Sequence, residues 1–443
     1  MANTKLLRTF GTPTSTKTGT FSFWMKLSSS SNNGIINNYG DNNNRAILYM
    51  ASEQLYFYDA AAGDNPYSSR KLRDLNCWYH IILRIDTTQG AAADRCRIYI
   101  NGEQETLTNT AYNPNENSYM FNANTPFGIG KDDSGSDYFN GSISHFHYCD
   151  GQSYAPTVFG ETDATTGEWK IKTSPSITMG NQGFTILKDG NTITDQSTNS
   201  NDFSLSSGTL TKTEDSPSNV FPTWNRLDYI TNTYSSSITN GNTTILSTTN
   251  DYPSLIANMG AKKGKFYWEV KVSASSGGAN AEAEVGIAST QTTTSTQELG
   301  EHPNDWGYYS YDGKYRNNNT STSYGSTFTV GDIISVAMDL DNNKLYFRKN
   351  NDAWNNSGDP TSGSTGTGAI SITDPDSTPL GFYFPAVCVW SSGINTTFQA
   401  NFGNGYFGTT AVSSAGTNAS GNGIFEYDVP SGYTALSTKG LNL

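Results

Sequence analysis

Apolar and polar residues alternate with a period of two along the first part of the chain. In "TFSFWMKLS" (20–28), Phe21, Phe23, Met25 and Leu27 fall on one face of a strand. The segments "AILYMAS" (46–52), "QLYFYD" (54–59), "WYHIILRID" (78–86), "CRIYINGEQ" (96–104), "FGIGK" (127–131) and "GSISHFHYC" (141–149) repeat the pattern between Gly- and Asn-rich turns. Short strands at this spacing predict an antiparallel β-sandwich over residues 1–175. The stretch 176–245 is rich in Ser, Thr, Asn and Asp, with apolar islands such as "GFTILKD" and "FSLSSGTL". It is expected to be an extended strap, parts of which add strands to the flanking sheets. From 246 to 443 alternation returns in "KFYWEVKVS", "AEAEVGIAS", "DIISVAMDL", "KLYFRK", "GFYFPAVCVW" and "NTTFQANFG", which predicts a second sandwich. Asn342-Asn343 sits where a tight hairpin needs φ > 0. Sustained helical spacing is absent, so the fold class is all-β.

Composition sharpens this picture. Charged residues make up 15% of the chain, against roughly 25% in soluble proteins generally. Gly, Ser, Thr and Asn take their place, as short strands with many turns require. The net charge of −13 and the tiny basic clusters, "RKLR" (70–73) and "AKKGK" (261–265), exclude nucleic acid as a partner. The same acidity argues against anionic membranes, and no stretch is long and apolar enough to span one. The N-terminus has no apolar signal-peptide core. Cys77, Cys96, Cys149 and Cys388 are widely spaced, which suits reduced thiols in a protein folded in a cytosol.

Four stretches invite chemistry. "DGQSYAPTVFGETDATTGEWKIK" (150–172) gathers Asp150, Glu161, Asp163 and Glu168 beside a tryptophan. Gly160 and Gly167 bracket its centre, so it reads as a turn-rich structural seam. "SHFHYCD" would place His145, His147 and Cys149 on one strand face, a metal site only if a neighbour adds a ligand. "DLDNNK" mimics the start of a calcium loop, but Lys344 replaces the needed glycine and Asn350 the bidentate glutamate, so it reads as a hairpin turn. "NDWGYYSYDGKYRNNN" (304–319) sets Trp306, Tyr308, Tyr309, Tyr311 and Tyr315 among Gly and Asn. Such rings can stack on a sugar or grip a peptide. No G-x-S-x-G elbow, Walker loop or dinucleotide fingerprint occurs.

Two family resemblances follow. "TFSFWMK", "WYHIILRID", "RIYINGE" and "YFNGSISHFHYCDG" resemble the laminin-G-like, concanavalin A-like lectin/glucanase sandwich. "GKFYWEVKV", "VGIAS", "GDIISVAMDLDNNKLYFRKN", "FYFPAV" and "FQANFG" resemble, in order and spacing, a SPRY domain. The first resemblance implies a calcium ion in a loop, for which Asp132 and Asp133 in "GKDDSGSD" are the candidates. It also implies, for the glucanases, an E-x-D-x-x-E strand, which is missing here. The second implies a peptide pocket near Trp306-Gly307 and Val389-Trp390. The candidate ligand-binding residues are therefore Trp306, Tyr308, Tyr311, Tyr315 and Trp390.

The whole chain also resembles bacteriophage structural proteins, of marine and cyanobacterial phages, that fuse these two modules. "LLRTFGTPTSTKTGTFSFWMK", "STNSNDFSLSSGTLTKTEDSPSNVF" and "YTALSTKGLNL" carry the likeness. It implies a virion surface protein, a capsid decoration, head fibre or tail fibre component. Such a protein would be made in the host cytoplasm and would bind host glycan or neighbouring virion proteins, with a homotrimer as one arrangement. The chain lacks heptads and shaft repeats, so a compact decoration fits better than a long fibre. The expectation is binding without catalysis. The alternatives are a glycanase acting on host polysaccharide and a purely structural capsid- or tail-stabilising protein.

Overall fold

The computed structural model describes residues 3–29, 32–63, 65–109, 112–132, 137–188, 192–227, 237–247, 254–278, 281–292, 297–389 and 393–442. The chain divides into two compact units, Met1–Lys212 and Thr213–Leu443. Both are β-sandwiches built mostly of antiparallel strands.

The first unit contains β1 (Lys5–Thr9), β2 (Thr18–Leu27), β3 (Asn33–Asp41), β4 (Asn44–Ala51), β5 (Gln54–Asp59), β6 (Tyr67–Ser68), β7 (Trp78–Asp86), β8 (Cys96–Ile100), β9 (Glu103–Gln104) and β10 (Leu107–Thr108). Further on come β11 (Pro126–Ile129), β12 (Gly141–Asp150), β13 (Gly160–Thr162), β14 (Trp169–Ile171), β15 (Phe184–Ile186) and β16 (Ser204–Ser207). One sheet has the order β10-β6-β5-β4-β3-β11-β1-β16 and the other β15-β12-β2-β7-β8-β9. Between them, Phe21, Phe23, Met25 and Leu27 are wholly buried. They meet Leu6, Ile36, Leu48, Phe57 and Phe127 of the other sheet in one core. Each such side chain contributes ~1.5–3 kcal/mol by leaving water. The Phe21 and Tyr148 rings stack at 4.3 Å.

This unit runs to Lys212, past the boundary at 175 expected from the sequence. The reason is that β15 extends one sheet by pairing with β12, and β16 extends the other by pairing with β1. The acidic seam forms the β13–β14 hairpin on the outer face of the β12-β2-β7 sheet. Asp163 closes its turn by accepting the backbone N–H groups of Thr165 and Thr166 at 2.8 and 3.0 Å. Trp169 Nε1 donates to His80 Nδ1 at 3.0 Å. A Cβ at Gly102 would come within 2.5 Å of the Trp169 ring, so that turn must stay bare.

The second unit contains β17 (Ser237–Thr239), β18 (Thr244–Ser247), β19 (Leu255–Ile256), β20 (Lys265–Ser275), β21 (Ala283–Ala288), β22 (Asp305–Tyr309), β23 (Lys314–Asn317) and β24 (Thr320–Ser323). It continues with β25 (Ile333–Asp339), β26 (Lys344–Lys349), β27 (Ile370–Ser371), β28 (Phe384–Val389), β29 (Thr396–Asn401), β30 (Tyr406–Phe407), β31 (Thr410–Ala411) and β32 (Thr434–Ala435). Its sheets run β17-β18-β29-β20-β25-β26-β27, with β32 parallel to β20, and β19-β28-β21-β22-β23-β24. Strand β17 and the start of β18 come from the expected strap, so that stretch is shared between the two units. "DLDNNK" is the β25–β26 hairpin, with Asn343 at φ 55°.

Strand β20 departs from simple alternation. Phe266, Trp268, Val270 and Val272 face the core, yet Tyr267 and Glu269 on the other face are buried too. The C-terminal segment covers them. The Phe425 ring meets Tyr267 edge-on at 4.9 Å. Glu269 accepts the N–H groups of Glu426 and Tyr427, both at 2.9 Å, and the Tyr267 hydroxyl at 2.9 Å.

Candidate functional site

The SPRY-side aromatic residues do not form one open pocket. Trp306 and Tyr308 lie on β22, an interior strand between β21 and β23, and both are buried. Tyr308 points into the core, 5.2 Å from the Phe328 ring and 5.4 Å from that of Phe347. Trp306 meets Tyr383 edge-on at 5.6 Å. Their faces are spent on packing, which corrects the expectation that they bind ligand. Tyr315 is half-buried and packs edge-on against Tyr324 at 5.7 Å. Tyr311, after β22, keeps an open ring and is 54% exposed. Trp390 lies outside the described residues, as does Asp133.

The histidine pair is also rearranged. A bulge shifts the β12 register between Ser144 and His147, and His145 takes φ 48°. Strict alternation therefore does not carry across His145 and His147. Both are buried. Ser144 Oγ lies 2.8 Å from His145 Nδ1, and Thr185 Oγ1 lies 2.9 Å from His147 Nδ1. Burial lowers the His147 pKa to about 3, and that of His80 likewise to about 3. Among the described residues no group of three His, Cys, Asp or Glu side chains is placed to hold a metal.

The second unit instead buries acids. Glu284 on β21 and Glu298 in the following loop share one guanidinium, that of Arg316 on β23. Arg316 Nη1 lies 3.6 Å from Glu284 Oε1 and also bonds Glu298 Oε2. Desolvation outweighs this cation, and the Glu284 carboxyl rises to about 8 and that of Glu298 to about 7. Leu299 of the same loop packs with Ile256, Ala288, Ala386 and Cys388 over the sheet's outer face.

An open concavity lies in the first unit, on the outer face of the β5-β4-β3 strands. Leu48 and Phe57 point to the core, so Arg45, Ile47, Tyr49, Tyr56 and Tyr58 point away from it. A cavity of about 320 Å³ is lined there by Arg45, Ile47, Tyr49, Tyr58, Asn65 and Asp132, with Asn32, Asn33, Gly34, Met50 and Asp137 completing it. The Arg45 guanidinium rests 5.2 Å from the Tyr58 ring centre. Asn65 Nδ2 donates to the Tyr49 hydroxyl at 3.1 Å. Tyr49, Tyr56 and Tyr67 stack across three strands at 5.3 and 4.8 Å. An apolar floor, ring walls, and amides and carboxylates that donate and accept are the chemistry of a site for a small hydroxyl-rich ligand. Of the described residues singled out from sequence, only Asp132 lines it. The signal was present: in "RAILYM" and "QLYFYD" every outward position is large or polar.

Comparison with known proteins agrees with the architecture. Residues 7–152 match the concanavalin A-like lectin/glucanases superfamily, and residues 265–401 match the SPRY domain. The chain is thus an all-β protein with a concanavalin A-like lectin domain followed by a SPRY domain. Among solved structures, it is similar to the SPRY domain of human HERC1, at 17% identity over 37% of this chain and 91% of that one, with a TM-score of 0.29. It is also similar to a SAP-like pentraxin from Limulus polyphemus, at 17% identity over 34% of this chain and 71% of that one, with a TM-score of 0.28. No curated protein matches it.

Proposed function

We propose that the chain is a non-catalytic binding protein that holds a glycan in the cleft on the outer face of β3–β5. The observation that carries this reading is the cleft itself, where tyrosine rings and an apolar floor meet amide, guanidinium and carboxylate groups. The match to a lectin/glucanase superfamily supports a sugar as the ligand class. The carboxylates speak for binding over hydrolysis. A glycosidase needs two acids on opposite sides of the sugar, ~5–9.5 Å apart. The E-x-D-x-x-E strand that the glucanase resemblance implies for such a pair does not occur in this sequence. The SPRY domain adds a second binding face, for which the exposed Tyr311 is the remaining ring, and a neighbouring protein is the partner it suits.

The likeness to phage structural proteins supports display on a virion surface, where many weak sites act together. A trimer belongs to the same resemblance, and calcium to the lectin-sandwich one. The test is a glycan array with the full chain, beside a reducing-sugar assay on every glycan bound. Retention without sugar release is expected; release of reducing ends sinks the non-catalytic reading. Mass spectrometry and labelling of purified particles test the virion setting, which fails if the protein is absent from them.

A further inference from the structure

We infer that the cleft takes the end of a glycan, a terminal sugar with at most one further ring, and not a segment of a chain running through it. This rests on the glycan reading above and narrows it. The first argument is size. At about 320 Å³ the cavity sits at the lower end of the ~300–1,000 Å³ typical of small-molecule sites, room for one or two pyranose rings.

The second argument is what blocks each side. A site for a running chain needs successive free ring faces. Here the Tyr49, Tyr56 and Tyr67 rings stack on one another, so the ladder spends its inner faces internally. Tyr58 has a face taken by Arg45. Tyr49 is the ring of the ladder that lines the cavity. On the opposite side Asp132 and Asp137 lie against β3 itself. Gly34 donates its N–H to Asp137 O at 3.3 Å, and a Cβ at Gly34 would fall 1.8 Å from Asp132 N. That contact occupies β3 directly beside Tyr49, the direction in which a ligand on that ring would extend across the strands. A terminal sugar could set its C–H face on Tyr49. Its hydroxyls would then meet Asn32, Asn65, Asp132 and Asp137.

The experiment is calorimetric titration of the full chain with cello-, manno- and chito-oligosaccharides of one to six units. Affinity in the binding series is expected to level off by the disaccharide. Tyr49→Ala and, separately, Asn65→Ala should each lower it tenfold or more, with circular dichroism unchanged. Tyr49→Phe, which keeps the ring, should stay within about threefold of wild type. An affinity that keeps climbing fivefold or more from two to six units overturns the terminal-sugar inference while leaving glycan binding intact. So does binding that both cleft variants leave untouched. Failure to bind these series and every glycan on the array overturns the glycan reading itself.

Discussion

The two sandwiches share an architecture and differ in what their extra chain covers. In the first unit, the β13–β14 hairpin shields the outer face of one sheet, while the β5-β4-β3 region of the other keeps its cleft. In the second unit, the C-terminal segment lies over β20, and the loop with Leu299 lies over β21 and β28. Covering both outer faces buries polar groups that an open sheet would leave in water. The first unit buries neutral histidines beside rings and hydroxyls, with a carboxyl such as Asp59 fully bonded by Tyr112, Ser118 and the Tyr119 N–H. The second buries carboxyls, some well bonded, as Glu269 is, and some crowded around one cation, as Glu284 and Glu298 are. The covered sandwich gains core and loses surface for a ligand. The open one keeps part of a sheet face accessible.

The largest break in this comparison is expected at the centre of the second core. Trp268 is wholly buried. Trp268→Ala should cost ~3–5 kcal/mol, read as a lowered midpoint in urea, while sugar titration of the cleft stays as in wild type. The next effect tests the covering segment. Glu269→Ala removes the acceptor for two backbone N–H groups and the Tyr267 hydroxyl. Each buried donor left without a partner costs ~1–3 kcal/mol. A loss near 3 kcal/mol is expected, with faster hydrogen exchange at residues 424–428. Unchanged exchange there would mean that the segment is held by packing alone.

A smaller and more telling effect is the opposite response to pH. Glu284 is raised from its usual 4.5 to about 8 in the folded chain. Its contribution is complete below pH 4.5 and is lost as pH rises through 8. His80 and His147 are lowered from 6.5 to about 3. Their contribution is complete above pH 6.5 and is lost as pH falls toward 3. Alkali should therefore loosen the second unit and mild acid the first. Hydrogen exchange at pH 5, 7 and 9, corrected for intrinsic rates, separates the two. Glu284→Gln should remove much of the alkaline loss, raising the melting temperature at pH 9 by several degrees and changing it little at pH 5. Equal gains at both pH values would show that the charge is not the cause.

Strand periodicity made most of the fold legible. Phe21, Phe23, Met25 and Leu27 are buried as their alternation requires, and so are Phe266, Trp268, Val270 and Val272. Tertiary contacts made without regular periodicity were not legible. The islands around Phe184 and Leu205 were expected to add strands, but no local pattern says which edge each joins, β12 for one and β1 for the other. The cleft was not foreseen for a related reason. Trp306 and Tyr308 sit among Gly, Asn and Asp, which looks like surface, yet β22 has a strand on either side. Tyr49 and Tyr58 sit in strands that look like core, and only the pairing of β4 with β3 and β5 reveals which face stays open.

The smallest expected effect concerns the residue the two readings share. Among the described residues Tyr311 is the ring of the SPRY-side cluster that stays open, tilted 30° to Tyr309 at 6.1 Å. An exposed side chain away from caps and buried networks changes stability by no more than ~0.5 kcal/mol when removed. Tyr311→Ala should leave the melting curve and the sugar titration of the cleft in place, because cleft and ring belong to different units. Its effect should be confined to capture of a partner protein, read by pull-down from purified particles against the wild-type chain. Should Tyr311→Ala abolish sugar binding and Tyr49→Ala spare it, the contrast between an open and a covered sandwich would be reversed. The covering segments of the second unit would then have to be read as the frame of its site.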